Sequence, residues 1–130
     1  ATEAEIIKYG GNVYFVRKVN FANMVNDICK TIGVDYENVR RGMAADFRIG
    51  DSHLDVNHGG YRGWGGYCFP KDLDAFISFL KDSGNEEGAR LLEADKDFNT
   101  TLLSSQGLTV EDVSKHSVNI EALLKKKSVN

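Results

Sequence analysis

Cys68 stands after a glycine-rich approach (Gly59, Gly60, Gly63, Gly65 and Gly66) and just ahead of Pro70. Glycine takes positive φ readily and lets backbone come close to a ligand. Proline suits the first position of a helix, where its missing N–H costs nothing, so a helix is expected from Pro70. A thiol at a helix start faces unpaired amides and the positive end of the dipole, which favour its anionic, nucleophilic form. Asp72 follows four residues later, one turn along. A presented thiol, a nearby carboxylate and a pliant floor for a ligand are the parts of a covalent-catalysis site.

Lys8 and Asn12 stand at i and i+4, so a helix would place both on one face. An ammonium and an amide N–H suit a developing oxyanion. Exposed pairs of this kind are common, and this one gains meaning only beside a nucleophile. Cys29, next to Ile28 in an apolar stretch, is expected to be core.

Asp51, His53, Asp55 and His58 alternate in the manner of metal ligands. The calcium-loop template fails here, because its sixth position would be Val56 instead of glycine and its closing position Arg62 instead of glutamate. Zinc spacings are missing too, so a solvated polar loop and no metal are expected. Gly60, Gly63 and Gly65 lack the order of a dinucleotide fingerprint and have no strand before them. The chain therefore shows no cofactor site of its own.

The elements that must hold these residues read as helices. Thr2 to Ile32 forms one long helix, with apolar residues dense enough that more than one face is expected to be covered, and Gly33 stops it. The Gly10-Gly11 pair favours close packing or a slight bend over a break. Asp35 caps a short helix over Tyr36–Ala45, with Val39 and Met43 inward. Asp46 to Phe69 reads as a long polar loop, a kind usually functional or disordered. Leu73, Phe76, Ile77 and Leu80 mark a helix from Pro70 to about Lys81, and another spans Glu86 to Ser105. Gly107 follows it, and Thr109 caps a short helix through Ser114 with Asp112 at the capping-box position. The tail from Val118 to Asn130 is expected to add an amphipathic turn or two. No strand pattern competes, so the fold class is all-α, with the main body over residues 1–106 and a helical tail over 107–130.

At 130 residues the chain has one domain's worth of core. A net charge of −3 gives no footprint for nucleic acid, and no apolar run is long enough to span a membrane. Two cysteines are too few for a disulfide framework and fit a reducing, cytoplasmic setting. In its first residues the chain lacks the basic-then-apolar pattern of a signal peptide. It enters helical pattern at once, as a piece cut from a longer protein would.

Three segments together carry a resemblance: Ala4-Glu5-Ile6-Ile7-Lys8-Tyr9-Gly10-Gly11-Asn12, Asp46-Phe47-Arg48-Ile49-Gly50, and Gly63-Trp64-Gly65-Gly66-Tyr67-Cys68-Phe69-Pro70-Lys71-Asp72. In that order they resemble the central helical domain of the UDP-glucose and GDP-mannose 6-dehydrogenase family, a dimerisation domain like the C-terminal domain of 6-phosphogluconate dehydrogenase. The Pro-Lys-Asp ending is more like the UDP-glucose and GDP-mannose enzymes than the N-acetylhexosamine dehydrogenases. The resemblance implies a four-electron oxidation with NAD, taking UDP-glucose to UDP-glucuronate, with GDP-mannose as the alternative substrate and a non-catalytic dimerisation module as the alternative role. It makes Cys68 the nucleophile that forms a thiohemiacetal and then a thioester. Asp72 would assist proton transfers, and Lys8 and Asn12 would hold the oxyanion. Arg48 would reach the nucleotide sugar from the partner of a homodimer, while Gly65, Gly66 and Tyr61 would line the substrate. The loop between Arg48 and Gly63 is longer than is common in the family. NAD and nucleotide domains of family members are missing here, so the chain alone is expected to be inactive.

Overall fold

Thr2 fixes the start of the first helix, its hydroxyl accepting the Glu5 N–H at 3.3 Å, with Glu3 and Glu5 set against the positive dipole end. In the computed structural model, which describes residues 2–114 and 119–129, this helix α1 runs from Glu3 to Ile32. It passes through Gly10-Gly11 without a break. Gly33, at φ +78°, ends it and returns its N–H to the Cys29 carbonyl. Asp35 then caps α2 (Tyr36–Ala44) through the Glu37 N–H. The remaining helices are α3 (Cys68–Asp82), α4 (Glu86–Ser104), α5 (Val110–Val113) and α6 (Ile120–Val129), and no strand occurs among the described residues.

Most boundaries fall within a residue of the sequence reading; two differ by more. α3 begins at Cys68, two residues before Pro70. Proline is tolerated there because the first N–H groups of a helix have no intrahelical partner anyway. The thiol is thus on the helix's first residue rather than in the loop before it. The tail forms ten residues of helix, more than the expected turn or two. Its expected start at Val118 and end at Asn130 lie outside the described residues. α5 carries the capping box: Asp112 N–H to the Thr109 hydroxyl at 3.2 Å, and Thr109 N–H to the Asp112 carboxylate at 2.9 Å.

Three apolar clusters hold these elements. Val13 and Val16 of α1 meet Leu73 and Ile77 of α3, Ala89 and Leu92 of α4, and Trp64 from the loop. Burying each large member contributes about 1.5–3 kcal/mol. Ala22 and Cys29 pack with Tyr36, Leu54 and Val56, and the half-buried Val39 and Met43 face inward as expected. Leu103, Leu108 and Val113 collect Tyr61, Ile120, Leu123 and Leu124. The long loop is therefore anchored: Leu54, Val56 and Trp64 are buried, and the Tyr36 hydroxyl donates to the Leu54 carbonyl at 2.7 Å.

One expectation about α1 is corrected. Its second apolar face is not covered within this chain. Ile7 is 74% exposed and Ile28 59%, with Tyr14, Phe21, Met24 and Ile32 also open to solvent.

Candidate active site

α1 packs against α3, and that contact joins two of the predicted residues. The Asn12 amide donates to the Asp72 carboxylate at 2.6 Å, and Asp72 is only 2% exposed. A buried carboxylate requires a partner, and here the partner is the residue singled out for oxyanion binding. An amide carries two N–H donors. With one directed to Asp72, the side chain is fixed and the second N–H is the donor an incoming oxygen would take. Lys8 lies one turn before Asn12, exposed, its ammonium 5.7 Å from the centre of the Tyr9 ring. Cys68 lies one turn before Asp72, a free and exposed thiol, whereas Cys29 is free and buried.

Gly65, Gly66 and Tyr61 share one cavity of about 620 Å³, with His53, Trp64 and Phe69 in its wall. Gly66 adopts φ +81°, which favours glycine. Its N–H donates to the Val113 carbonyl at 2.9 Å, so that amide is taken within the chain. At Gly65 a Cβ would collide with the Val113 side chain. Burial raises the Tyr61 phenol above its ordinary value, so it stays a hydroxyl donor at neutral pH.

Arg48 is apart from this group. Its side chain is 77% exposed and pairs with Asp46 at 2.7 Å, which holds the Asp46 carboxyl below the usual carboxylate range. Like Lys8, Asn12, Cys68 and Asp72, it does not line the cavity, whose wall holds only Tyr61, Gly65 and Gly66 of the predicted site residues.

The alternating Asp/His loop divides. Asp51 pairs with Arg40 at 3.0 Å and Asp55 with the same guanidinium at 4.0 Å. His53 turns the other way and stacks on Phe15, ring centres 4.2 Å apart and planes 14° apart, with Phe69 6.0 Å away. Among the described residues no three His, Cys, Asp or Glu side chains converge as metal ligands. Partial burial, then the Lys18 ammonium and His58, push the His53 imidazole below its ordinary value, leaving it neutral at pH 7. His53 also has φ +64°, the one positive value outside glycine among the described residues. Its place in the wall has no counterpart in the sequence reading, since neither the ring stacking nor the backbone angle leaves a local signal.

Sequence comparisons bear on this arrangement. Residues 2–101 match the model of the UDP-glucose/GDP-mannose dehydrogenase family, central domain. The chain is similar to the UDP-glucose 6-dehydrogenase AglM of Haloferax volcanii, 43% identical over 98 residues that make up 75% of this chain and 21% of that protein. It is also similar to the UDP-glucose 6-dehydrogenase of Pseudomonas aeruginosa (43% over 82 residues; 63% of this chain, 17% of the relative). A third relative is the UDP-glucose 6-dehydrogenase YwqF of Bacillus subtilis (40% over 84 residues; 65% and 18%). The chain spans about a fifth of the length of these curated relatives.

Proposed function

Because the chain belongs to the UDP-glucose/GDP-mannose dehydrogenase family, we propose that it is the catalytic central part of an NAD-dependent nucleotide-sugar 6-dehydrogenase. The substrate on this reading is UDP-glucose and the product UDP-glucuronate. The observation that carries the reading is the Asn12–Asp72 contact, which couples an oxyanion donor to the helix whose first residue is an exposed cysteine.

Cys68 Sγ adds to the C6 aldehyde carbon of the sugar, and the carbonyl oxygen gains the charge. The free N–H of Asn12 and the ammonium of Lys8 stabilise that oxygen. At the thioester stage water attacks the same carbon, the C–S bond breaks, and Cys68 leaves as the thiolate while the sugar departs as the carboxylate. Asp72 takes the proton of the water and keeps Asn12 oriented meanwhile. Gly65, Gly66 and Tyr61 form the cavity that receives the sugar, with the Tyr61 hydroxyl as its hydrogen-bond donor.

NAD does not fit this chain. Such cofactors lie on a strand–glycine–helix turn, and the described residues include no strand. We assign its binding mainly to another domain of the whole enzyme. No helix among the described residues is long and apolar enough to cross a membrane. The two cysteines are unpaired, which supports a cytoplasmic setting.

A homodimer is part of the reading. Ile7, Tyr14, Phe21 and Ile28 recur every seven residues on α1, and all are exposed. Seven-residue spacing makes one seam along a helix, and a contiguous apolar seam marks a contact surface. A Cβ added at Gly10 or Gly11 would meet nothing within 4 Å, which leaves room for a second α1 to approach. An outward Arg48, held by Asp46 away from its own cavity, suits a role in the partner's site.

The test is NADH formation at 340 nm by the whole enzyme, with UDP-glucose and with GDP-mannose. Two NADH per UDP-glucose consumed is the expected result. No NADH with either sugar, from folded and dimeric protein, would overturn the reading.

A further inference from the structure

The segment leading into Cys68 is held at every second residue. At Arg62 the backbone N–H donates to Gln106 Oε1 at 2.8 Å and the carbonyl accepts from Gln106 Nε2 at 2.7 Å. At Trp64 the backbone makes the same double contact with the Asn99 amide, at 2.8 and 2.9 Å. At Gly66 the N–H donates to the Val113 carbonyl at 2.9 Å. Alternation at residues 62, 64 and 66 is the period of extended chain, so two side-chain amides and one carbonyl take the place of a neighbouring strand. The side chains of the first two residues reach the other way, to α1. Arg62 binds Asn23 at 3.0 Å and Asp27 at 2.8 Å, and the Trp64 indole N–H donates to Asn20 at 2.9 Å. The approach to the thiol thus bridges α1, which carries Lys8 and Asn12, and the α4–α5 corner.

We propose that Gln106 is a positioning residue for Cys68, and that it and α5 form a brace that fixes the first turn of α3 relative to Asn12. Both lie beyond residue 101, where the match to the family's central domain ends. Gln106 is suited to the work because it is anchored itself: its Nε2 also donates to the Leu102 carbonyl at 3.0 Å, inside the last turn of α4. One primary amide therefore ties a loop peptide to a helix end. Removing it leaves the Arg62 backbone without its partners while leaving the three apolar clusters unchanged. The proposal rests on Cys68 being the reactive thiol.

The experiment uses the chain as it is, without sugar or NAD, so its outcome does not depend on whether the dehydrogenase reading holds. Wild type, Gln106→Met and Thr109→Ala are compared, the last loosening α5 through its cap without touching Gln106. Amide hydrogen exchange over residues 62–68 is followed by mass spectrometry, together with iodoacetamide alkylation of Cys68 at pH 7 and the thermal midpoint. With Gln106→Met, exchange over 62–66 should rise about tenfold, the loss of two backbone hydrogen bonds, with α1 unchanged. Alkylation should fall about threefold as the thiol loses the oriented helix-start amides that favour its reactive form. Thr109→Ala should shift both readouts in the same sense by a smaller factor. Unchanged exchange in a folded Gln106→Met variant would overturn the proposal, as would faster exchange with alkylation at the wild-type rate.

Discussion

Cys68→Ser in the whole enzyme is expected to lower UDP-glucuronate formation by at least about a thousandfold, the scale of losing an activated nucleophile. The fold should survive, since Cys68 is exposed and belongs to none of the apolar clusters. A serine hydroxyl is scarcely ionised at neutral pH and, when it does react, forms an ester that is cleaved more slowly than a thioester. The variant should therefore accumulate the aldehyde or an ester-linked sugar while the first oxidation continues. Chromatography of the sugar products distinguishes these outcomes. Uronate produced at the wild-type rate would remove Cys68 from the mechanism.

Phe21→Asp combined with Ile28→Asp should convert the protein to monomer. Both side chains are half or more exposed in the isolated chain, so the change leaves the fold of each subunit intact. In a paired seam it would bury four carboxylates, two from each copy, without partners. Burying an unpaired charge costs several kcal/mol after relaxation, enough to shift a dimerisation constant by about a thousandfold or more. Sedimentation reads the mass. Turnover should fall with dimer content if, as proposed, Arg48 serves the partner's cavity. A monomer with full activity would place Arg48 outside the reaction, and an unchanged dimer would place the interface elsewhere.

The helices, and the spacings that single out the proposed site residues, are legible in the sequence because both are written locally. Thr2, Asp35 and Thr109 have the side chains that cap helix starts, and Gly33 takes the positive φ that ends one. The four-residue spacings Lys8–Asn12 and Cys68–Asp72 need only helical geometry to be noticed. That α1 and α3 bring the two pairs together, through Asn12 and Asp72, is a tertiary fact that neither spacing contains. The start of α3 falls earlier than expected because proline marks the first turn without specifying which residue of it. The exposed seam of α1 reads as core because periodicity reports an apolar face and not what covers it. The brace has no signal at all, since Gln106 meets Arg62 across 44 residues. His53 reads as part of a solvated polar loop, whereas stacking on Phe15 decides where it points.

Covalent attachment of the sugar to Cys68 is best tested by the intact mass of the whole enzyme, quenched in acid during turnover of UDP-glucose with NAD. A fraction of subunits should be heavier by one oxidised UDP-sugar, with peptide mapping placing the adduct on Cys68 and Cys68→Ala lacking it. An adduct on another residue, or none while uronate is being formed and the quench is shown to preserve thioesters, would contradict the mechanism.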